Sequence, residues 1–354
     1  MNYNKFSEKL IDWFELFKRD LPWRRTTDPY QIWLSEIILQ QTRVSQGLPY
    51  FQRFVEQYPT VSHLAKAEEK DVLRLWQGLG YYSRGRNLHK SAKYIHEHLK
   101  AQFPSTYSEL LKLKGVGKYT AGAVASFAFK EKVPVVDGNV MRVLTRVFGI
   151  FDDISTSRGQ KDILEFAVKL LPQTESEKYN QAVMEFGAIV CTPKLPKCGE
   201  CFFRANCYAF SNEAVDILPV KNNKPAKKIR NIAFFDIRMD DKVLMHERRE
   251  KDIWRGLYQF YSREAHFQTF NDFFPDALLE KITLKSPLVL PPESVVKHVL
   301  THQILLVQFW QILIEEQSLT EEMKKDGLRF FSQPEADNLP KSILIQKYLR
   351  EKYF

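Results

Sequence analysis

No stretch of this 354-residue chain approaches the roughly 20 apolar residues that a bilayer-spanning helix needs. The opening MNYNKFSEKLIDWFELF also lacks the continuous apolar core of a secretory leader, so the sequence predicts a cytoplasmic protein without a membrane partner. Internal repeats and low-complexity tracts are missing, which argues against solenoids and disordered tails. Cysteine is scarce, and its four copies, Cys191, Cys198, Cys201 and Cys207, all fall in one short segment. In a reducing compartment that crowding argues against disulfides and for metal ligation.

What is present points to a globular protein of about two domains, with 44% hydrophobic and 27% charged residues. A formal net charge of +9 favours a polyanionic partner, nucleic acid ahead of ribosomal or membrane surfaces. From residue 1 to about 210 the apolar residues recur at helical spacing, as in Phe6, Leu10, Phe14 and Phe17, or Leu73, Trp76 and Leu79. This part is expected to be all-α. Residues 211–230, SNEAVDILPVKNNKPAKKIR, lose that period and gain Pro219, Pro225 and lysines, which reads as a linker. Beyond it IAFFDIRM, the turn Asp240-Asp241 and KVLMHERR read as a hairpin, SVVKHVLTHQILLVQFWQILI as long strands, and KSILIQKYLREKY as a closing helix. The second domain, 231–354, is therefore expected to be α+β around a mostly antiparallel sheet.

Within the helical part, YSELLKLKGVGKYTAGAVASFAF places Gly115 and Gly117 between two helices, at about 106–129. The glycines permit a tight turn that aims backbone N–H groups at an anion, with Lys118 beside it; a plain helix connection is the alternative. Twenty residues past Gly117, VPVVDGNVMRVLTR delivers Asp137 to the head of a helix, where it could serve only as an N-cap. Glu36 lies in WLSEIILQ, a helix apolar on nearly all sides. Burial would raise its pKa and keep a proton on it for general-acid work; a surface or salt-bridged glutamate is the other reading.

LPWR, DPY, WLSEIILQQTRV, WQGLGYYSRGRNLHKSA, LKGVGKYTAG, VVDGNVMRVLTR and NQAVMEFGAIVC occur in this order. LKGVGKYTAG with Asp137 resembles the helix-hairpin-helix Gly/Pro-Asp superfamily of DNA glycosylases. The whole series, from about Lys18 to Cys207, closely resembles its adenine DNA glycosylases, the MutY family. The resemblance implies a base-excision enzyme that flips adenine from a mispair with 8-oxoguanine or guanine in double-stranded DNA and cleaves its glycosidic bond. It makes Glu36 the acid that protonates the leaving adenine and Asp137 the carboxylate that stabilises the sugar cation, supported by Tyr119 and Asn139. Trp23, Arg24, Gln181 and Met184 then line the adenine pocket, while Gln41 and Tyr81 wedge into the duplex. The turn at Gly115 and Gly117, with Lys118, is then expected to hold the DNA backbone. The related endonuclease III type has a nucleophilic lysine where this chain has Tyr119, so a monofunctional, hydrolytic enzyme is implied.

In the C-terminal part RREKDIWRGLYQFY resembles the start of the family's Nudix-like domain, but REAHFQTFNDFF lacks the carboxylates that pyrophosphate hydrolysis needs. The family's Phe-Ser-His loop, which reads 8-oxoguanine, is matched by Leu300-Thr301-His302, with leucine in place of the ring. The Cys-x6-Cys-x2-Cys-x5-Cys spacing suits one loop around a 4Fe-4S cluster, as in these glycosylases, with structural zinc as the alternative. Lys194, Lys197 and Arg204 on that loop could meet DNA phosphates. A nucleoid-associated monomer is expected. The competing readings are another base-excision glycosylase of this fold and a non-catalytic, zinc-containing DNA-binding protein.

Overall fold

The computed structural model describes residues 3–222, 226–264, 269, 276, 278–279, 288–314 and 327–353. The chain forms two compact units, Met1–Lys66 with Asn87–Lys224, and Ala67–Arg86 with Pro225–Phe354. The inclusion of 67–86 in the second unit is a grouping that chain order does not show.

The helices of the first part of the chain are α1 (Tyr3–Phe17), α2 (Pro29–Leu39), α3 (Val44–Gln57), α4 (Val61–Lys66), α5 (Glu69–Trp76), α6 (Tyr82–His98), α7 (Tyr107–Leu110), α8 (Lys118–Phe129), α9 (Gly138–Phe148), α10 (Ser157–Leu170), α11 (Ser176–Ile189) and α12 (Tyr208–Ser211). All but α5 and the first residues of α6 belong to the first unit. Its main core forms where α1 turns Phe6, Leu10 and Phe14, spaced four apart, onto Val143 and Leu144 of α9, Ile163 of α10, and Val183 and Phe186 of α11. Phe203 joins this cluster from the cysteine-bearing loop and stacks on Phe6 at 4.8 Å between ring centroids. Burying an aromatic ring of this size stabilises by roughly 2–3 kcal/mol, enough to pin the loop to the helices.

In the second unit, strands β1 (Lys228–Met239), β2 (Lys242–Glu247), β3 (Tyr258–Gln259), β4 (Tyr261–Arg263), β5 (Leu288–Leu290), β6 (Val296–Val299), β7 (Gln303–Leu313) and β8 (Arg329–Ser332) precede α13 (Gln333–Asn338) and α14 (Ile343–Tyr353). The β1–β2 hairpin turns at Asp240-Asp241, with Met239 opposite Lys242, as its sequence suggests. The sheet is mixed, because β1 runs parallel to β7 while the other described pairings are antiparallel. That central position explains the unbroken buried run Ile232 to Ile237: a strand covered on both faces needs no polar alternation. In the same unit the Trp76 indole donates to the Gly80 carbonyl at 3.0 Å, fixing the turn after α5. Most of REAHFQTFNDFF lies outside the described residues. Among the described residues no helix is long and apolar enough to cross a membrane.

Candidate active site

Helix α2 begins where Asp28 accepts the Tyr30 N–H at 2.9 Å and Pro29 supplies the first helical turn. Its sequence leaves no polar face, and Tyr30, Ile32, Trp33, Leu34, Ile37 and Ile38 are all buried. Glu36 is carried inward with them and is only 6% exposed. Burial pushes its carboxyl up to about 7, reinforced by the charge of Asp137 and opposed by the Tyr119 hydroxyl and by Arg24. The Tyr119 hydroxyl donates to Glu36 Oε2 at 2.6 Å. A carboxyl group that holds its proton near neutral pH and opens onto a cavity can act as an acid.

Tyr119 sits in the first turn of α8, behind the glycine turn. Gly115 has φ +79°, and a Cβ there would come within 2.6 Å of the Asn87 side chain, so both backbone and packing call for glycine. Gly117 caps α8 and Lys118 is exposed beside it. Asp137 caps α9: one carboxylate oxygen accepts the Val140 N–H at 2.8 Å, and the other accepts the Asn139 side-chain amide at 2.7 Å. Burial raises the Asp137 pKa, while these donors favour its charged form. The positive end of α9 favours the same state.

Glu36, Tyr119, Asp137, Asn139, Trp23, Arg24, Gln181 and Met184 line one cavity of about 200 Å³. Two further residues that the motifs did not single out, Arg19 and Glu185, line it too. Glu185 is 1% exposed and accepts from Arg19 Nε at 2.6 Å, Arg19 Nη2 at 2.7 Å and Arg24 Nη2 at 2.7 Å. Burial alone would raise Glu185, but the two guanidiniums prevail and hold it down at about 2. Arg142, also missed, donates to Asn139 Oδ1 at 2.8 Å, to the Gly187 carbonyl at 2.7 Å and to the Cys191 carbonyl at 2.7 Å. It thereby ties the start of the cysteine loop to the residue that holds Asp137. Hydrogen bonds spanning so many residues leave no local pattern in the sequence.

Gln41 lies outside this cavity's lining, exposed and in the left-handed region at φ +56°. Tyr81, at φ +47°, belongs to the second unit, where its hydroxyl donates to Thr301. Leu300, Thr301 and His302 form the tight connection between β6 and β7, and with Tyr81, Tyr82 and Trp254 they line a second cavity of about 500 Å³.

Cys191 follows α11, and Cys198, Cys201 and Cys207 sit on the loop that Phe203 anchors. Arg146, 3% exposed, donates to Cys191 Sγ at 3.6 Å and to the Thr192 carbonyl at 2.7 Å. Lys194, Lys197 and Arg204 are exposed on the same loop. Among the described residues no three His, Cys, Asp or Glu side chains form a group suited to a metal ion.

Residues 34–169 match the HhH-GPD superfamily of base excision DNA repair proteins, and residues 233–351 match the NUDIX domain family. The chain is 33% identical over 265 residues to an adenine DNA glycosylase of Buchnera aphidicola subsp. Schizaphis graminum, covering 75% of this chain and 76% of that one. With the adenine DNA glycosylase of Buchnera aphidicola subsp. Baizongia pistaciae the identity is 31% over 337 residues, covering 95% and 93%. Among solved structures, a thermostable thymine-DNA glycosylase aligns with a TM-score of 0.55 at 29% identity, over 59% of this chain and 97% of that one.

Proposed function

The chain belongs to the adenine DNA glycosylase family, and from that membership we propose that it hydrolyses the glycosidic bond of adenine mispaired with 8-oxoguanine or guanine in duplex DNA. The observation that carries this reading is the pair Glu36 and Asp137, two carboxyl groups on one cavity: buried Glu36 is pushed up to about 7, while Asp137 accepts a backbone N–H and an amide that oppose its own rise. The target base must leave the stack to reach them. Protonated Glu36 donates to N7 of the flipped adenine, so the base departs neutral and the cost of expelling an anion is avoided. Ionised Asp137, held by Val140 N–H and Asn139, faces the cation that develops on the sugar. Water then completes the hydrolysis.

Tyr119 supports a monofunctional course: a phenol cannot form an imine with the sugar, and Lys118 is outside the cavity's lining. Gln41 and Tyr81 act on the duplex around the lesion, and Thr301 with His302 reads the base opposite adenine from the β6–β7 turn. Gly115, Gly117 and Lys118 hold a DNA phosphate.

Cys191, Cys198, Cys201 and Cys207, all free thiols, are the residues that would hold a 4Fe-4S cluster. Each supplies one thiolate, and the thiols of Cys198, Cys201 and Cys207 are raised by burial and by their fellow cysteines, a cost that iron ligation removes. The Arg146 guanidinium donates to the Cys191 sulfur. Four thiolates are the donor set that such a cluster would need. Held by these cysteines, a cluster would order the loop that carries Lys194, Lys197 and Arg204 and would supply no step on the base.

Single-turnover assays on duplexes with adenine opposite 8-oxoguanine test the reading. The wild type should release free adenine, Glu36→Gln should lose at least about 100-fold in rate, and borohydride should trap little enzyme–DNA adduct. Release of thymine opposite guanine without release of adenine would overturn the assignment.

A further inference from the structure

The cavity contains an ion-pair cluster that the excision chemistry does not by itself require. Its charged lining consists of Arg19, Arg24, Glu36, Asp137 and Glu185. With Glu36 protonated, two guanidiniums face two carboxylates, and the cavity is neutral, as suits an uncharged base. Around the cavity that Glu36 lines stand Tyr119 from α8, Asp137 from the head of α9, Glu185 from α11, and Arg19 and Arg24 from the segment before α2; of these, Tyr119, Asp137 and Arg24 act on the Glu36 carboxyl.

We infer that Glu185 is a positioning residue for the excision: it clamps Arg19 and Arg24 and cancels their charge beside the acid. The geometry is that of a clamp and not of an incidental contact. Both oxygens of a carboxylate 1% exposed are occupied, one by Arg19 Nε and by the Arg19 backbone N–H at 3.1 Å, the other by Arg19 Nη2 and Arg24 Nη2. Arg24 is further fixed by its bond to the Arg19 carbonyl at 3.0 Å. Both arginines line the cavity with Glu36, and in a water-poor site an unbalanced guanidinium acts strongly on a neighbouring carboxyl. Arg24 pulls the Glu36 pKa down. Without the Glu185 charge that pull grows, Glu36 gives up its proton at a lower pH, and a cation is left facing the positive charge that develops on the sugar.

The inference rests on Glu36 being the acid, and two separate readouts keep the two claims apart. The first is the titration of the Glu36 carboxyl by carbon NMR of glutamate-labelled protein, assigned with Glu36→Gln. The second is the single-turnover rate of adenine release from about pH 5 to about pH 9. In the wild type both should break near pH 7, with the rate falling about tenfold per unit above it. In Glu185→Gln both breaks should move down by about one unit, so the variant loses about tenfold more at pH 8 than at low pH. Glu185→Asp, which keeps the charge, should return the break toward its wild-type position. Arg24→Gln, which removes the cation while Glu185 stays, should move the Glu36 titration up. A uniform loss of rate in Glu185→Gln with an unmoved Glu36 titration overturns the inference, as does an unmoved titration in Arg24→Gln. A shifted titration with an unshifted rate profile supports the role of Glu185 and removes Glu36 as the acid.

Discussion

Burial raises both Glu36 and Asp137, so it is their neighbours that separate them. Asp137 accepts a backbone N–H and an amide at the positive end of a helix, whereas Glu36 has one hydroxyl and the repulsion of Asp137. This difference has a consequence for stability. Between the ordinary glutamate value of 4.5 and about 7 the folded protein keeps a proton on Glu36 that the unfolded chain has lost. Stability must therefore fall as pH rises through that window, and the penalty persists above it. Glu36→Gln keeps an acceptor for Tyr119 and removes the penalty, so at pH 8 the variant should be more stable than the wild type by roughly 1–3 kcal/mol, with little difference near pH 5. Urea unfolding at the two pH values measures this. A gap that does not change with pH would show that Glu36 titrates normally. The placement of Glu36 in an all-apolar helix and of Asp137 at a helix head was legible in the sequence, whereas their proposed roles came from the resemblance of the motifs around them. Glu185 was not legible, since its partners Arg19 and Arg24 are 166 and 161 residues away.

At the scale of elements, the cavity depends on how closely α11 approaches the head of α9. Gly187 is a point of close approach: a Cβ there would come within 2.8 Å of Asn139 Cβ and 2.9 Å of its carbonyl oxygen. Because Asn139 holds Asp137, any separation of the helices is felt by the carboxylate. Gly187→Ala should destabilise the protein by about 1–3 kcal/mol through overpacking. It should slow adenine release while leaving binding of undamaged duplex nearly unchanged. Thermal melting and single-turnover rates check the two halves, and a normal rate in a destabilised variant would break the link between this packing and Asp137. Helix positions were readable from spacing, but the small residue at 187 gave no sign of its partner. The sheet behaves alike: the β1–β2 hairpin was legible from its turn, while the parallel pairing of Lys228 through Arg238 with Gln303 through Leu313 joins segments too far apart for local signals.

For the whole molecule, the net charge of +9 raises the question of whether affinity for DNA comes from diffuse attraction or from placed cations. Lys194, Lys197 and Arg204 are exposed on a loop fixed at its base by the fully buried Phe203 and by the bonds of Arg146 to Thr192 and Cys191. Arg158, Lys161 and Lys169 are equally exposed on α10, a helix that contributes no residue to the cavity. Diffuse attraction predicts that neutralising either trio weakens binding alike, because both remove the same charge. Placed contacts predict otherwise, since each lost phosphate contact lowers the slope of log affinity against log salt by about 0.9. Replacing Lys194, Lys197 and Arg204 with glutamine should therefore reduce that slope by about 2–3. The same replacement of Arg158, Lys161 and Lys169 should barely change it. Circular dichroism of each variant separates lost contacts from lost folding. Equal slopes for the two trios would mean that the cysteine loop holds its cations in no particular relation to the duplex.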